Sequence, residues 1–200
     1  MLTLCIQAGG ASSRMGEDKA LKPFLGRPLI QRVIERLAPL ADEIIVTTNR
    51  PADYAFLNLR LVSDLKPGRG ALGGLYTAIA SATHPLVAVV ACDMPFASSR
   101  LIEAMTGLLV REEADVVIPK SAEGYEPFHA VYRRETCLSA IESALRADQW
   151  KVIAWFPAVR VRELAVDELS SYTPDGLAFW NVNTPQEFAE AERIALTAND

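Results

Sequence analysis

The segment "LTLCIQAGGASSRMGEDKAL", residues 2–21, decides how the rest of the sequence is interpreted. Its first six residues are mainly apolar and are typical of a buried β-strand. They are followed by two adjacent glycines, Gly9 and Gly10, and then by Arg14 and Lys19. Because glycine has no Cβ, its backbone N–H groups can come close to a phosphate group. The segment therefore predicts a strand followed by a loop that binds an anionic ligand.

The spacing of this loop differs from that of two common phosphate-binding motifs. Gly16 is followed by Glu17 where a Walker-type P-loop has lysine, and no G-x-G-x-x-G motif is present. The missing lysine disfavours a kinase-like phosphotransferase. A glycine-rich loop that follows the first strand still favours nucleotide binding, and the alternative is an ordinary loop with solvated basic residues.

The rest of the chain alternates between apolar runs and amphipathic stretches. "PLIQRVIERLAPL", residues 28–40, has helical periodicity, and "LVAVVACD", residues 86–93, is typical of a strand buried on both faces. This alternation predicts an α/β fold, a Rossmann-like and mostly parallel sheet with helices on both faces. The pattern loosens after about residue 120. Thr184 and Glu187 then predict a capping box at the start of a last helix.

Length and composition limit the classes of protein that the chain can be. Two hundred residues, half of them hydrophobic, predict one folded domain over 1–200, and we divide it into parts of about 1–118 and 119–200. The net charge of −5 argues against general nucleic-acid binding. No apolar run reaches the ~20 residues that span a membrane, and the N-terminus does not resemble a signal peptide. Three widely spaced cysteines suggest reduced thiols and a cytoplasmic protein.

Two aspartates end predicted strands. Asp64 ends "LRLVSD", and Asp93 ends "LVAVVACD". Open α/β sheets bind ligands at the carboxyl ends of their strands, and a carboxylate placed there can hold Mg²⁺ together with phosphate and water oxygens. Asp93 could equally cap the turn before Pro95, and aspartates at strand ends such as Asp64 are common.

Two further segments have both a binding and a structural interpretation. "KPGRGALGGL", residues 66–75, could present a bare backbone to a flat base, or it could allow close helix packing. "NVNTP", residues 181–185, contains Asn181 and Asn183, and asparagines so near a helix cap usually satisfy turns. His129 lies in a predicted strand, where we expect a structural residue.

Taken in order, four segments resemble the molybdenum cofactor guanylyltransferase family (MobA-like proteins). They are "AGGASSRMGEDKAL", "VSD" before "GRGALGGL", "CDMPF" and "FWNVNTPQEF", and the resemblance extends over nearly the whole chain. It implies a Rossmann-like nucleotidyltransferase fold. It also implies transfer of GMP from GTP to the terminal phosphate of the molybdenum-molybdopterin cofactor, with release of pyrophosphate.

The same resemblance implies a set of site residues and a metal. The catalytic residues would be Lys19 and Asp93, with Mg²⁺ bound to Asp93. Arg14 is added from the loop itself, since its charge could stabilise the departing pyrophosphate together with Lys19. Asn181 and Asn183 would contact the acceptor or the metal. The family usually has leucine where this chain has Gln7, and some members have asparagine where it has Thr47. The implied GTP-binding residues are Gln7, Ala8, Gly9, Gly10, Lys19, Thr47, Asp64, Gly73, Gly74 and Asp93.

The implied partners are GTP and a molybdopterin-type phosphate acceptor, with residues 119–200 on the acceptor side. Transient contact with other cofactor-biosynthesis proteins or with molybdoenzymes is a further expectation, and nucleic acid and membranes are not expected. Three alternatives stay open: a molybdopterin cytidylyltransferase, another NTP:phosphate nucleotidyltransferase, and a non-catalytic nucleotide-binding protein.

Overall fold

A mixed sheet of eight strands forms the centre of the computed structural model, which describes residues 1–9 and 18–197. A two-stranded ribbon, β2–β3, lies apart from it. In chain order the strands are β1 (Leu2–Gln7), β2 (Pro23–Phe24), β3 (Arg27–Pro28), β4 (Glu43–Thr47), β5 (Arg60–Val62), β6 (Leu86–Ala91), β7 (Val116–Ser121), β8 (Gly124–Tyr125), β9 (His129–Arg133) and β10 (Val161–Leu164).

Helices connect most of the strands. None of the described helices is long and apolar enough to cross a lipid bilayer. In chain order they are α1 (Leu29–Leu37), α2 (Pro51–Tyr54), α3 (Gly70–Ser81), α4 (Ser99–Arg111), α5 (Arg134–Arg146), α6 (Val166–Leu169) and α7 (Pro185–Thr197).

The strand order is β10-β7-β9-β6-β1-β4-β5, with β8 paired to β7. β1 is parallel to β4 and β6, and β4 is parallel to β5, whereas β9 is antiparallel to both β6 and β7. The predicted mostly parallel sheet is therefore confirmed, but the reversed strand β9 was not predicted. A parallel connection needs a crossover of a dozen or more residues. The short connection between β7 and β9 contains only β8, so β9 runs antiparallel.

Helices cover both faces of the sheet, as predicted. One apolar cluster contains residues of α1, α4 and α7, and a second contains residues of α3 and α5. Strand β1 contributes side chains to both clusters: Leu4 and Ile6 belong to the first and Cys5 belongs to the second. This alternation follows from the two-residue period of a strand.

The C-terminal helix packs against the beginning of the chain. Phe188 of α7 meets Phe24 edge to face, with ring centroids 5.5 Å apart. The predicted capping box is confirmed: the Thr184 N–H donates to Glu187 Oε2 at 2.9 Å, and the Glu187 N–H donates to Thr184 Oγ1 at 3.1 Å. These contacts hold residues 181–183 beside the segment from Lys19 to Phe24.

A carboxylate ties the amino ends of the central strands together. Glu43, at the start of β4, accepts hydrogen bonds from Thr3 Oγ1 at 2.6 Å, from the Thr83 N–H at 2.9 Å and from Arg60 at 3.0 Å. Burial alone would raise the pKa of Glu43, but these donors lower it from 4.5 to about 2. The folded protein therefore stabilises the ionised form of the Glu43 carboxylate.

We expect Glu43→Ala to lower the free energy of unfolding at neutral pH by about 1–3 kcal/mol, because Thr3 and Thr83 lose their acceptor. Since folding depresses the pKa of this carboxyl, its contribution is complete above pH 4.5 and is lost as the pH falls towards about 2. Urea unfolding at a series of pH values should show the wild type and the variant converging in acid. A difference that stays constant from neutral pH into acid would contradict this assignment.

Candidate active site

A cavity of about 840 Å³ opens at the carboxyl ends of β1, β4 and β6. The chain passes from β1 to β4 and β5 on one side and then returns to β6 on the other, so the cavity lies where the strand order reverses. Its volume suits a nucleotide-sized ligand. The predicted site residues that line it are Gln7, Ala8, Gly9, Lys19, Thr47, Asp64, Gly74, Asp93 and Asn181. Gly10 and Arg14 lie outside the described residues.

Lys19, Asp93 and Asn183 come together at this edge of the sheet. Lys19 Nζ forms an ion pair with the Asp93 carboxylate and donates to Asn183 Oδ1 at 2.8 Å. The side chains of Lys19 and Asp93 are only 18% and 15% exposed. The interaction joins three distant segments of the sequence, and all three residues were predicted.

The backbone fixes Asp93 at the end of β6. The N–H of the preceding residue, Cys92, donates to Gln7 O at 3.0 Å, and the Val182 N–H donates to Asp93 O at 3.0 Å. The end of β6 is therefore bound both to the end of β1 and to the segment between Asn181 and Asn183. Burial, the largest effect, raises the pKa of the Cys92 thiol, so this cysteine stays protonated at neutral pH.

Asp64 closes a turn and also forms part of the cavity wall. Its Oδ1 accepts from the Lys66 N–H at 2.9 Å and from Thr77 Oγ1 at 3.0 Å. Its own N–H donates to Asn49 Oδ1 at 2.9 Å, which links the ends of β4 and β5. Thr47 is buried, and its carbonyl accepts from the Ala8 N–H at 2.9 Å.

The two adjacent glycines of α3 have different surroundings. A Cβ on Gly73 would lie 2.8 Å from Lys66 O and 2.8 Å from Arg69 Cβ, so Gly73 allows the helix to pack closely against the preceding loop. A Cβ on Gly74 would lie 2.9 Å from Gln7 Nε2. Gly74 lines the cavity, whereas Gly73 is not among the described residues that do.

The two asparagines make the turn contacts that are usual beside a helix cap. Asn181 Nδ2 donates to Phe179 O at 3.1 Å, and Asn183 Nδ2 donates to Asn181 O at 3.3 Å. Asn181 lines the cavity, and Asn183 adds the contact with Lys19. Each therefore combines a structural contact with a place at the site.

His129 is fully buried beneath this segment. Its Nδ1 lies 3.2 Å from Ala178 O, and its ring meets Phe179 at a centroid distance of 5.4 Å. Burial lowers the pKa of His129 to about 4, so the ring is neutral at physiological pH. These contacts fit the structural role expected for His129.

The sequence interpretation missed a second polar cluster at the cavity. Asp18 accepts a hydrogen bond from Tyr54 Oη at 2.6 Å and forms an ion pair with Arg50. Asp18 and Arg50 line the cavity, and Tyr54 is buried behind them. Asp18 lies more than thirty positions before both partners, and no local motif connects them. The proximity of Asp18 to the glycine loop was the only available signal.

In the part of the chain that the structure describes, no three or more His, Cys, Asp or Glu side chains are grouped so that they could hold a metal ion. A site for a divalent cation would therefore depend on few protein oxygens. That arrangement is the usual one for Mg²⁺ when it is bound together with phosphates.

A mostly parallel sheet with a polar cavity at its switch point is the arrangement of a nucleotide-binding α/β protein. A family profile described as "MobA-like NTP transferase domain" matches residues 4–161, and the chain belongs to that family. Its class is thus that of the nucleotidyltransferases.

Relatives match over nearly their full length. A molybdenum cofactor guanylyltransferase from Desulfosudis oleivorans is 36% identical over 96% of this chain and 94% of its own length. A probable molybdenum cofactor guanylyltransferase from Pelotomaculum thermopropionicum is 37% identical over 95% and 91%. The fold is similar to that of molybdopterin-guanine dinucleotide biosynthesis protein A from Archaeoglobus fulgidus, with a TM-score of 0.83 and 24% identity over 98% of this chain and 99% of that one.

The surroundings of the two glycines predict different effects of the same substitution. Gly73→Ala should lower the free energy of unfolding by about 1–3 kcal/mol, because the new methyl group meets a backbone carbonyl. Gly74→Ala should change it by less than about 1 kcal/mol, because the end of the Gln7 side chain can move and alanine favours the helix. Urea unfolding of the two variants checks the difference, and equal losses would show that the packing at Gly73 is misassigned.

Proposed function

We propose that this chain transfers GMP from GTP to the terminal phosphate of the molybdenum-molybdopterin cofactor and releases pyrophosphate. The family, and the names of relatives that match almost the whole chain, support this reaction. The structural observation that carries the proposal is the convergence of Lys19, Asp93 and Asn183 beside a cavity at the sheet's switch point.

The reaction needs positioning and charge neutralisation more than a protein nucleophile. An oxygen of the acceptor phosphate attacks the α-phosphorus of GTP, and the bond to the β-phosphate bridging oxygen breaks. The acceptor phosphate is already ionised near neutral pH, so no general base is required. No histidine is among the described residues that line the cavity, and burial raises the pKa of the Cys92 thiol there.

The surroundings of Asp93 fit a divalent cation. The ammonium group of Lys19 already lies against this carboxylate, which shows that the position favours positive charge. Asp93 would hold Mg²⁺, with an Asn181 side-chain oxygen as a further donor. The ion would neutralise the charge of the triphosphate. Lys19 would then be free to contact phosphate oxygens, together with Arg14.

The remaining predicted residues divide between the two substrates. We propose that Gln7, Ala8, Gly9, Gly10, Thr47, Asp64 and Gly74 hold GTP. Gly73 was predicted with them, but it packs α3 against the preceding loop and is not among the described residues that line the cavity. Asn183 would face the molybdopterin acceptor, and Asn181 would serve the metal. The corresponding division of the domain is residues 1–118 for the nucleotide and 119–200 for the acceptor side. One apolar cluster contains residues of both parts, which supports treating 1–200 as a single domain.

A cytoplasmic location and transient contact with other cofactor-biosynthesis proteins or molybdoenzymes complete the proposal. The three cysteines are free and buried, which suits a reducing compartment. The acceptor and the product are the cofactors that such partners would supply or receive.

Asp93→Ala should lower kcat for pyrophosphate release by about 10²–10³, because the developing negative charge loses its cation. A phosphate-coupled assay with GTP, Mg²⁺ and molybdopterin acceptor measures this rate, and circular dichroism checks that the variant is folded. Asp42→Asn is a suitable control, because this carboxylate binds the Leu2 N–H at the opposite end of β1. A folded Asp93→Ala protein with unchanged turnover would remove Asp93 from the mechanism.

The base preference separates this proposal from its alternatives. With the same acceptor, GTP should show a kcat/KM at least about tenfold above that of CTP, UTP or ATP, because a site that hydrogen-bonds one base leaves polar groups unpaired with another. If CTP is used as well as GTP, the guanylyl assignment is wrong. Nucleotide binding without pyrophosphate release would indicate a non-catalytic binding protein.

A further inference from the structure

A buried tyrosine hydroxyl anchors the residue that precedes Lys19. Tyr54, at the end of α2, is fully buried, and its Oη donates to Asp18 Oδ2 at 2.6 Å. The other carboxylate oxygen, Oδ1, accepts from the Ala20 N–H at 3.1 Å. Both oxygens of Asp18 are therefore used, one for a distant helix and one for the local turn.

The backbone on the other side of Lys19 is fixed as well. Ala20 is fully buried, and its carbonyl accepts from the Ile30 N–H at 3.0 Å, at the start of α1. The Leu21 N–H donates to Asp18 O at 3.0 Å and closes a turn around Lys19. The backbone of Lys19 is thus held between α1 and α2, and its side chain crosses to Asp93.

We propose that Tyr54 is a positioning residue for Lys19. Through Asp18, its hydroxyl sets the place from which the Lys19 ammonium group reaches the end of β6 and the phosphates of a bound nucleotide. This inference rests on the role proposed above for Lys19. Tyr54 is not among the described residues that line the cavity, so it acts through Asp18 and touches no substrate.

The hydroxyl is a firmer anchor for Asp18 than the neighbouring guanidinium group. The side chain of Arg50 is 56% exposed and also lies 3.4 Å from Asp53, so solvent and a second carboxylate weaken its pair with Asp18. The hydroxyl of Tyr54 is buried, where a hydrogen bond to a carboxylate is stronger. Burial and the Asp18 hydrogen bond raise the pKa of Tyr54, so the hydroxyl remains a donor over the whole neutral range.

A double-mutant cycle between Tyr54→Phe and Lys19→Ala tests the proposal. Tyr54→Phe removes one oxygen and keeps the buried ring. It should lower kcat/KM for GTP about tenfold, mostly through kcat, because a displaced ammonium group stabilises the transition state less well. In the Lys19→Ala background the same change should alter kcat/KM by less than about twofold. A merely structural role would give equal factors in both backgrounds.

Two further sets of variants serve as controls. Tyr76→Phe also removes a tyrosine hydroxyl that donates to a carboxylate, Glu142 Oε1 at 3.1 Å, but between α3 and α5. It should leave the kinetics of the enzyme unchanged. Asp18→Asn keeps an oxygen acceptor for Tyr54 and should retain more activity than Asp18→Ala. If Tyr54→Phe is unfolded at the assay temperature, the cycle of Asp18→Ala with Lys19→Ala replaces it, because alanine removes the acceptor of the Tyr54 hydroxyl.

The outcomes distinguish this inference from the proposed function. A wild-type protein that releases no pyrophosphate from GTP and the acceptor would overturn the proposed function itself. If the wild type is active but the effects of the two substitutions on kcat/KM are independent and simply multiply, only the positioning role of Tyr54 is wrong. An unchanged rate in folded Lys19→Ala would overturn the roles given to Lys19 and Tyr54 together.

Discussion

The ion pair between Lys19 and Asp93 is the interaction on which the site depends. It joins the loop after β1 to the end of β6, and the Lys19 hydrogen bond to Asn183 adds the segment before α7. Both side chains are mostly shielded from water, where removal of either partner would leave a charge without compensation. The same shielding strengthens the attraction of this edge for phosphates and cations. The contact therefore connects the segments that form the site and also provides two of its charged groups.

The geometry of the sheet explains why these groups meet. β1 lies between β4 and β6, and all three end at the same edge, so residues from three connections converge there. Several of them have a structural bond and a place at the cavity at once. Asp64 closes a turn and forms part of the wall, and Asn183 stabilises the segment before α7 while contacting Lys19. The two interpretations that the sequence allowed for these residues, a turn contact and a place at a binding site, are therefore compatible with each other.

Much of the candidate site could be predicted, because its residues lie in local patterns. Asp93 ends an apolar run, the glycines cluster at the start of a helix, and Asn183 stands beside a capping box. Asp18 and Tyr54 could not be paired in this way, because their contact depends on how α2 lies relative to the turn at residues 18–21. The different surroundings of Gly73 and Gly74 could also not be predicted, because they depend on which face of α3 each glycine occupies.

The sequence by itself determined the α/β class, the positions of the main strands and helices, and the resemblance to guanylyltransferases. These features follow from local periodicity, turn residues and motifs, which require only neighbours along the chain. The tertiary structure alone decided the strand order, the reversal of β9 and the contact of Tyr54 with Asp18. Such features arise from packing between distant segments, and their free energies depend on burial and distance that no local pattern contains.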